Sequence, residues 1–439
     1  MALEQRGSVI QLNLTINHAS GRNFLKTTKP FEISKHDVVR AWELVKANKG
    51  APGVNGETIE QFESNLKGNL YKLWNRMSSG SYFPPAVKTV AIPKKTGGER
   101  KLGIPTVVDR VAQMVAKLHF EPLVEPHFHA DSYGYRPNKS AHMALEVTRK
   151  RCWRHNWVLE FDIRGLFDNI DHQLLMKAVK RHTDNRWLLL YIERWLTGPI
   201  QLEDGTTISR KRGVPQGGVI SPVLSNLFMH YAFDKWMERH FPGKPFCRYA
   251  DDGLVHCHSE ADARMVKDAL ANRLQECGLE MHPEKTKIVY CKDDDRREEH
   301  AVTSFDFLGY TFRPRRSKNK WGKFFINFSP AMSATAGKAI RQEVRRWKLH
   351  LRSDKSLLDL AQMFRAKIQG WINYYGRFYK SAMYPTLKHI NRKLCLWAMR
   401  KYKKLKHHRR RAEHRLGDIA NMHPGMFPHW KLGVWPMVG

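Results

Sequence analysis

Two adjacent carboxylates interrupt an apolar stretch of this sequence, Phe246-Cys247-Arg248-Tyr249-Ala250-Asp251-Asp252-Gly253-Leu254-Val255. The apolar segments on either side predict two short strands, and the Asp-Asp pair predicts the tight turn between them. Adjacent carboxylates repel each other, so the pair costs stability unless a cation or solvent compensates its charge. An isolated pair of this kind is usually a solvated turn, but the flanking apolar strands favour a functional site here.

A third carboxylate lies near the end of another apolar run, Trp157-Val158-Leu159-Glu160-Phe161-Asp162-Ile163, which predicts a buried strand. If the two strand ends are neighbours, they bring together the carboxylates of Asp162, Asp251 and Asp252. Such a set would hold two divalent cations roughly 3.5–4 Å apart. Such a pair of cations activates a hydroxyl nucleophile and stabilises the leaving group in in-line phosphoryl transfer. The three residues are therefore the candidate catalytic and metal-binding set.

The chain of 439 residues carries a large excess of positive charge, because 75 Lys and Arg against 42 Asp and Glu give a formal net charge of +33. That surplus predicts a polyanionic partner, since neutralising phosphates releases counterions. A basic protein that only coats nucleic acid is the alternative. Hydrophobic residues make up 42% of the chain and aromatic residues 11%, which indicates a folded protein with two or three packed cores.

Cysteine usage and hydropathy bear on the cellular compartment. The six cysteines are scattered without a CxxC pair, which argues against a zinc knuckle and predicts reduced thiols. The sequence has no signal-like apolar segment and no long uncharged apolar run. We therefore expect a cytoplasmic protein without a membrane partner.

Patterns along the chain predict an α+β fold. Ser34 is a candidate N-cap of a first helix, and residues 82–105 predict a strand, a Gly-rich turn and a second strand. Another hairpin is expected from Phe305–Phe312 and Phe324–Phe328, on either side of a basic turn. After Pro330, apolar residues recur at helical spacing in three segments, which predicts a small helical bundle.

Three further features are ambiguous when taken alone. Lys94 and Arg100 lie across the Gly-rich turn and fit either a triphosphate clamp or an exposed hairpin. Gly213-Val214-Pro215-Gln216-Gly217-Gly218 predicts a turn that lets the backbone approach a ligand closely. A basic stripe runs beside the first helical apolar stripe and consists of Arg341, Arg345, Lys348 and Arg352.

Specific motifs now indicate a family. Tyr249-Ala250-Asp251-Asp252 resembles the metal-binding box of reverse transcriptases, and residues 161–170 resemble their first carboxylate motif. The chain is also similar, in motif order, to bacterial group II intron reverse transcriptase/maturases of the type that lacks an endonuclease. The matching motifs lie at 48–54, 102–106 with Asp109-Arg110, 132–137, 215–218, 283–287, 307–310 and 370–375.

The resemblance implies a role for each matching residue of the active site. Asp162 and Asp251 would be the principal ligands of two Mg²⁺ ions, which Mn²⁺ can replace, and Asp252 would be the weaker third ligand. Phe167 would pack under the sugar of the incoming nucleotide and reject a 2′-hydroxyl, unless it is simply a core residue. Lys285 would protonate the leaving pyrophosphate, and a solvated charge is the alternative.

The resemblance also implies contacts with the nucleotide and with RNA. Lys94 and Arg100 would face the triphosphate, and Gln216 would line the same pocket. The basic stripe would ordinarily be a solvated helix face. Together with the net charge, the family motifs favour RNA phosphates as its partner.

A right-hand polymerase with a helical thumb is the fold that the resemblance implies. We expect an N-terminal extension (1–34), fingers and palm (35–315), a helical thumb or maturase domain (316–400) and a basic tail (401–439). The implied function is RNA-directed DNA synthesis for a group II intron, with binding of intron RNA to assist splicing and mobility. The partners would be an RNA template, a DNA primer, dNTPs, intron RNA and target DNA.

Two alternatives stay open. A catalytically idle maturase would bind RNA through the same basic surface, although such a protein would be expected to have lost one of the three carboxylates. A reverse transcriptase domesticated for defence or repair would keep the whole site, and the residues do not separate it from an intron protein. The chain departs from the family at Asn55, where Asp is usual, and it has no His/Cys-containing endonuclease extension.

Overall fold

The computed structural model describes residues 29–93 and 99–436, and for Arg100 it describes the backbone alone. Within these ranges helices alternate with three sheets, in agreement with an α+β fold. In the same part of the chain, no helix is both long enough and apolar enough to cross a membrane.

The strands of the described chain fall into three antiparallel or mixed sheets. They are β1 (Val87–Pro93), β2 (Glu99–Ile104), β3 (Trp157–Asp162), β4 (Ile200–Gln201), β5 (Thr207–Ile208), β6 (Phe246–Tyr249), β7 (Asp252–Cys257), β8 (Lys287–Tyr290), β9 (Phe305–Phe307), β10 (Tyr310–Lys318) and β11 (Phe324–Met332). The sheet orders are β2-β1-β4-β5, β6-β7-β3-β8 and β11-β10-β9.

The helices lie before, between and after these strands. They are α1 (Lys35–Asn48), α2 (Ile59–Ser64), α3 (Leu66–Ser78), α4 (Val107–Val124), α5 (Ala141–Cys152), α6 (Leu166–Asn169), α7 (His172–Lys180), α8 (Arg186–Thr197), α9 (Ser221–Met229), α10 (Lys235–His240), α11 (Glu260–Glu276), α12 (Ala334–Arg346), α13 (Leu357–Tyr375), α14 (Tyr384–Lys401), α15 (Arg409–Met422) and α16 (Pro428–Lys431). A π-helical segment, His230–Asp234, joins α9 to α10.

The central sheet, β6-β7-β3-β8, is fully antiparallel and buries both faces of β3. Side chains alternate between faces along a strand, so Leu159 and Phe161 enter the largest core beneath helices such as α4, α9 and α11. Val158 enters a second cluster together with aromatic side chains of β9, β10 and β11. Each large apolar side chain buried in this way contributes roughly 1.5–3 kcal/mol. The expected buried strand and Asp-Asp hairpin are both confirmed.

The predicted first helix and the predicted later hairpin are also confirmed, although the first strand of the hairpin begins at Tyr310 rather than at Phe305. Ser34 caps α1 by accepting a hydrogen bond from the amide of His36 at 3.1 Å. The later hairpin is formed by β10 and β11, which pair from Tyr310↔Met332 to Lys318↔Phe324. Phe305–Phe307 is a separate edge strand, because the chain reverses at Leu308-Gly309, both with positive φ.

The C-terminal residues that were expected to form a basic tail are instead part of a helical core. Leu405, Leu416 and Trp430 are buried in the same cluster as Val344 of α12 and Leu394 of α14. The basic composition conceals an apolar face that packs against the three expected helices. The boundary at 400 therefore divides a continuous core, and the boundary at 315/316 falls inside β10.

The basic stripe does not lie on a single helix as its spacing predicted. Helix α12 ends at Arg346, and Lys348 has a left-handed backbone (φ 47°) that turns the chain. Arg352 donates from Nε to the carbonyl of Trp347 at 3.0 Å, which ties it to this turn. Arg341 is half-buried and donates to Thr386 at 3.0 Å, whereas Arg345 and Lys348 are exposed. The stripe is thus divided into two anchored and two exposed side chains.

Candidate active site

The turn that carries the two adjacent acids is strained and closely packed. Ala250 has a left-handed backbone (φ 58°) and is 3% exposed. Gly134 lies directly behind it, where a Cβ would approach the Ala250 nitrogen to 2.5 Å. The amide of Tyr133 donates to the carbonyl of Arg248 at 2.9 Å, which holds the segment around Gly134 against the hairpin. A side chain at position 134 would therefore displace the turn.

Strand register brings the predicted carboxylates together. Asp162 ends β3 and pairs directly with Asp252, the first residue of β7, so both side chains project from the same face of the sheet. Asp251 is the neighbouring turn residue. Asp252 keeps solvent access, but the surrounding protein limits its hydration and the like charges of Asp251 and Asp162 lie nearby. These effects raise the pKa of Asp252 to about 7.

Lys285 lies beside the carboxylates. Its Nζ donates to Oδ2 of Asp162, and this hydrogen bond raises the pKa of the lysine above its ordinary value. The segment that carries Lys285 is attached to β3, because the amide of His282 donates to the carbonyl of Asp162 at 2.8 Å. One ammonium group thus compensates part of the negative charge of the three acids.

The donor set suits a hard divalent cation that also binds substrate. Among the described residues, no group of three or more His, Cys, Asp or Glu side chains is placed to hold a metal ion by itself. Mg²⁺, however, usually binds through one or two carboxylates together with substrate phosphates. The direct cross-strand pairing of Asp162 with Asp252 fits that mode of binding, as does the pKa of Asp252, which limited hydration and then the nearby like charges raise.

Phe167 and Gln216 are brought together through Asp168. Phe167 is 8% exposed and meets Tyr135 edge-to-face, with ring centroids 6.4 Å apart. Nε2 of Gln216 donates to Oδ2 of Asp168 at 3.2 Å. Gly213 has φ +83°, and a Cβ there would lie 2.7 Å from the Asp168 carbonyl oxygen, so glycine permits this close approach.

The predicted basic clamp is described only in part. Lys94 lies outside the described residues, together with the turn that follows it. The backbone of Arg100 is in β2, opposite Ile92 of β1. The contacts of the two basic side chains therefore stay predictions.

A buried polar network beneath the turn was missed by the sequence analysis. Arg248 and Asp234 are both 0% exposed and form a bidentate pair, Nε to Oδ1 at 2.7 Å and Nη2 to Oδ2 at 2.6 Å. Nη1 of Arg248 also donates to the carbonyl of Ala250 at 3.2 Å and to Oδ1 of Asn226 at 3.1 Å. Asn226 in turn donates to the carbonyl of Gly134 at 2.7 Å.

This network joins both sides of the strained turn to the helical layer. Burial alone would raise the pKa of the Asp234 carboxyl, but the Arg248 guanidinium outweighs burial and holds that pKa below its usual range. The only signal in the sequence was an arginine within an otherwise apolar strand, Phe246-Cys247-Arg248-Tyr249. Its partner could not be identified, because Asp234 is brought into position by the π-helical segment.

The chain matches two family models and is similar to several known proteins. Residues 92–312 match the family model "Reverse transcriptase (RNA-dependent DNA polymerase)", and residues 337–416 match "Group II intron, maturase-specific domain". The chain is 32% identical to protein YkfC of Escherichia coli K12, an alignment that covers 64% of this chain and 81% of YkfC. It is 26% identical to the group II intron-encoded protein LtrA of Lactococcus lactis, over 76% of this chain and 68% of LtrA.

A yeast protein and a solved structure are also similar to parts of this chain. The putative COX1/OXI3 intron 1 protein of Saccharomyces cerevisiae is 27% identical, over 62% of this chain and 37% of its own length. Telomerase from Candida albicans, solved in complex with a fragment of telomeric RNA, is 14% identical to this chain, with a TM-score of 0.44. The matched region covers 86% of this chain and 68% of the telomerase chain. From the two family matches, the chain belongs to the reverse transcriptases, in the group II intron form that carries a maturase-specific domain.

Proposed function

We propose that the chain is an RNA-directed DNA polymerase that joins nucleotides by two-metal nucleotidyl transfer. The observation that supports this most strongly is the pairing of Asp162 with Asp252 at the end of the central sheet, next to Asp251 on the turn. Lys285 on Asp162 adds a proton donor at the same point. The reverse transcriptase family match supports the same reaction class.

In this proposal, the residues of the chain bind, orient and protonate the reactants. Two Mg²⁺ or Mn²⁺ ions held by Asp162, Asp251 and Asp252 would activate the primer 3′-hydroxyl and stabilise charge on the pyrophosphate. Nζ of Lys285 donates a proton to the departing pyrophosphate oxygen, which makes it a general acid. The raised pKa of Lys285 keeps that proton available at neutral pH.

The nucleotide pocket lies between α6 and the turn at 213–218. Phe167 presents its ring beneath the sugar, where an added 2′-hydroxyl would meet an apolar surface without a hydrogen-bond partner. Gln216 lines the pocket from the facing turn through its bond to Asp168. Lys94 and Arg100 would approach the triphosphate from the hairpin of β1 and β2.

RNA binding is assigned to the basic surface outside the catalytic sheet. We divide the chain into fingers and palm up to about residue 332 and a thumb or maturase unit from there to 436, in keeping with the helical core. Arg345 and Lys348, the exposed members of the basic stripe, would contact RNA phosphates. The partners would be a primed RNA template, dNTPs, intron RNA and target DNA. The six free, buried cysteines suit a reducing compartment such as the cytoplasm.

Primer extension on an RNA template tests the proposal. Wild type should incorporate dNTPs only when Mg²⁺ or Mn²⁺ is supplied, and Asp162→Asn should extend at least a thousandfold more slowly, because its carboxylate charge is lost. Asp268→Asn, which removes an exposed carboxylate on α11, is the matched control and should extend as wild type does.

Two outcomes would contradict the proposal. If wild type binds RNA tightly but extends no primer under any divalent cation, the chain is an idle maturase. If Asp162→Asn extends at the wild-type rate, the chemistry lies elsewhere in the molecule. Comparing affinity for group II intron RNA with that for an unrelated structured RNA separates intron function from a domesticated role.

A further inference from the structure

The hairpin of β10 and β11 presents its tip to solvent on an anchored base. Each strand has nine residues, and the base is buried at Tyr310, Phe312 and Phe328. Asp294 holds one edge by accepting from the amide of Ile326 at 2.9 Å. Tyr379 holds the other edge by donating its hydroxyl hydrogen to the carbonyl of Arg316 at 3.2 Å. The distal residues extend beyond these contacts.

At this tip, aromatic rings are exposed beside cations. Trp321 is 78% exposed, the largest exposed fraction among the large hydrophobic side chains of the described residues. Nζ of Lys320 lies 4.4 Å from its ring centroid. Phe324 is 53% exposed and has the guanidinium of Arg316 at 3.9 Å and Nζ of Lys318 at 5.6 Å. Exposed rings of this size are costly in water unless a partner covers them.

The backbone of the turn is ordered by hydrogen bonds to a side chain within it. Oδ1 of Asn319 accepts from the amides of Trp321 at 3.0 Å and Lys323 at 2.9 Å. Gly322 supplies the left-handed residue with φ +84°. Because these hydrogen bonds already order the backbone of the turn, little backbone freedom is lost when Trp321 meets a partner, which favours binding.

The positive charge of the hairpin indicates that its partner is negatively charged. From residue 310 to residue 332, the span of the hairpin, the sequence contains six Lys and Arg residues and no Asp or Glu. A polyanion is therefore attracted along the whole hairpin, and a planar group is needed to cover Trp321 and Phe324. Single-stranded RNA offers both, since its unpaired bases stack on aromatic rings while its phosphates meet the neighbouring cations.

We propose that the distal hairpin, Arg316 to Phe324, is a binding surface for single-stranded RNA in which Trp321 stacks on an unpaired base. Lys318 and Lys320 contact the phosphates that flank this base. The choice of RNA over DNA rests on the proposed function, in which RNA is the template. The surface is separate from the carboxylate site and from the basic stripe, and its effect is on affinity rather than on chemistry.

Equilibrium binding with two labelled probes tests the inference on the full chain. An unstructured oligouridine RNA supplies unpaired bases, and a blunt RNA duplex supplies phosphates without them. Trp321→Ala should weaken oligouridine binding by roughly 5- to 100-fold and leave duplex binding within twofold. Trp321→Phe keeps a ring and should restore most of the affinity. Lys318→Gln with Lys320→Gln should flatten the log–log salt dependence by roughly 0.7 per lost contact.

A control variant and separate assays show whether a loss of RNA binding is specific to Trp321. Tyr71→Ala removes another exposed ring, on α3, and should leave the affinity for oligouridine unchanged. Wild-type affinity of Trp321→Ala for oligouridine, or an equal loss for both probes, would overturn the inference. Tighter binding to single-stranded DNA of the same length would replace RNA with DNA as the partner. Primer extension is scored separately, so a chain that fails to polymerise while retaining Trp321-dependent RNA binding would refute only the proposed function.

Discussion

The ends of two antiparallel hairpins in this molecule are built in opposite ways. The hairpin of β6 and β7 ends in a strained turn that is packed against Gly134 and joined to the buried pair Arg248–Asp234. The hairpin of β10 and β11 ends in an exposed Trp321 with the ammonium of Lys320 beside its ring. A group that performs chemistry must be held to a fraction of an ångström, whereas a binding surface must be open to its ligand. The predictions below test that division.

The largest effect is expected at the buried ion pair. Asp234→Asn leaves the Arg248 guanidinium uncompensated in a fully buried site, which should destabilise the protein by about 3–5 kcal/mol. The measurement is chemical denaturation, followed by near-ultraviolet circular dichroism. Arg264→Gln, which removes an exposed ion pair with Glu260, is the control and should cost less than about 1 kcal/mol.

A second variant separates positioning of the turn from overall stability. Asn226→Leu removes the hydrogen bonds to Arg248 and to the Gly134 carbonyl while keeping a side chain of similar size. We expect a higher Mg²⁺ concentration at half-maximal extension rate in the folded variant, with KM for dNTP changed little. An unchanged Mg²⁺ requirement would show that the network supports folding alone.

Selection against ribonucleotides should show the next largest effect. Phe167→Val opens the space beneath the sugar, so kcat/KM for a ribonucleotide should rise relative to that for the deoxyribonucleotide by roughly 10- to 100-fold. Competing incorporation opposite one template base measures this ratio. If the folded variant shows the same ratio of kcat/KM values as wild type, Phe167 is only a structural residue of the core.

The pH dependence of stability gives a smaller test at the carboxylates. Burial and the like charges of Asp251 and Asp162 raise the pKa of Asp252 to about 7. A raised carboxyl pKa means that the folded state holds the proton more tightly, so stability without divalent cations should fall as pH rises from about 4 to 7. Asp252→Asn should lose part of this slope, and added Mg²⁺ should stabilise wild type at pH 8 more than this variant.

The smallest effect is expected on the thumb. Arg345→Gln with Lys348→Gln removes the two exposed members of the basic stripe and should weaken RNA binding a few-fold, about equally for different RNA sequences. Arg341 and Arg352 are held by protein partners, so replacing them should act mainly on stability. A salt dependence identical to that of wild type in the double variant would mean that these two side chains face only water.

The sequence revealed the central sheet because its signals are local. An apolar run that ends in Asp162 and an apolar hairpin around Asp251 are readable without tertiary information, and the motif resemblance named the family. The buried network could not be found in this way, since Asp234 lies in a π-helical segment and its contacts with Arg248 are set by the tertiary structure. The basic stripe was misassigned because one residue, Lys348, leaves helical geometry.

In the C-terminal segment, the apolar residues have helical spacing, but the basic composition of the segment concealed it. Ala412, Leu416 and Ala420 recur every four residues, which is helical spacing, and all three are buried. The run of Lys, Arg and His around them dominated the composition and suggested an unpacked tail. Long basic side chains can lie on the outer face of a helix whose inner face is apolar.

The most direct test of the account compares two variants in two assays. Asp251→Asn should abolish primer extension while its affinity for oligouridine RNA stays within twofold of wild type. Trp321→Ala should weaken that affinity by at least fivefold while single-turnover extension at saturating template stays within about twofold. If each variant loses only one of the two activities in this way, the hairpin of β6 and β7 performs the chemistry and the hairpin of β10 and β11 binds RNA. Loss of both activities in both variants, or wild-type extension by Asp251→Asn, would contradict it.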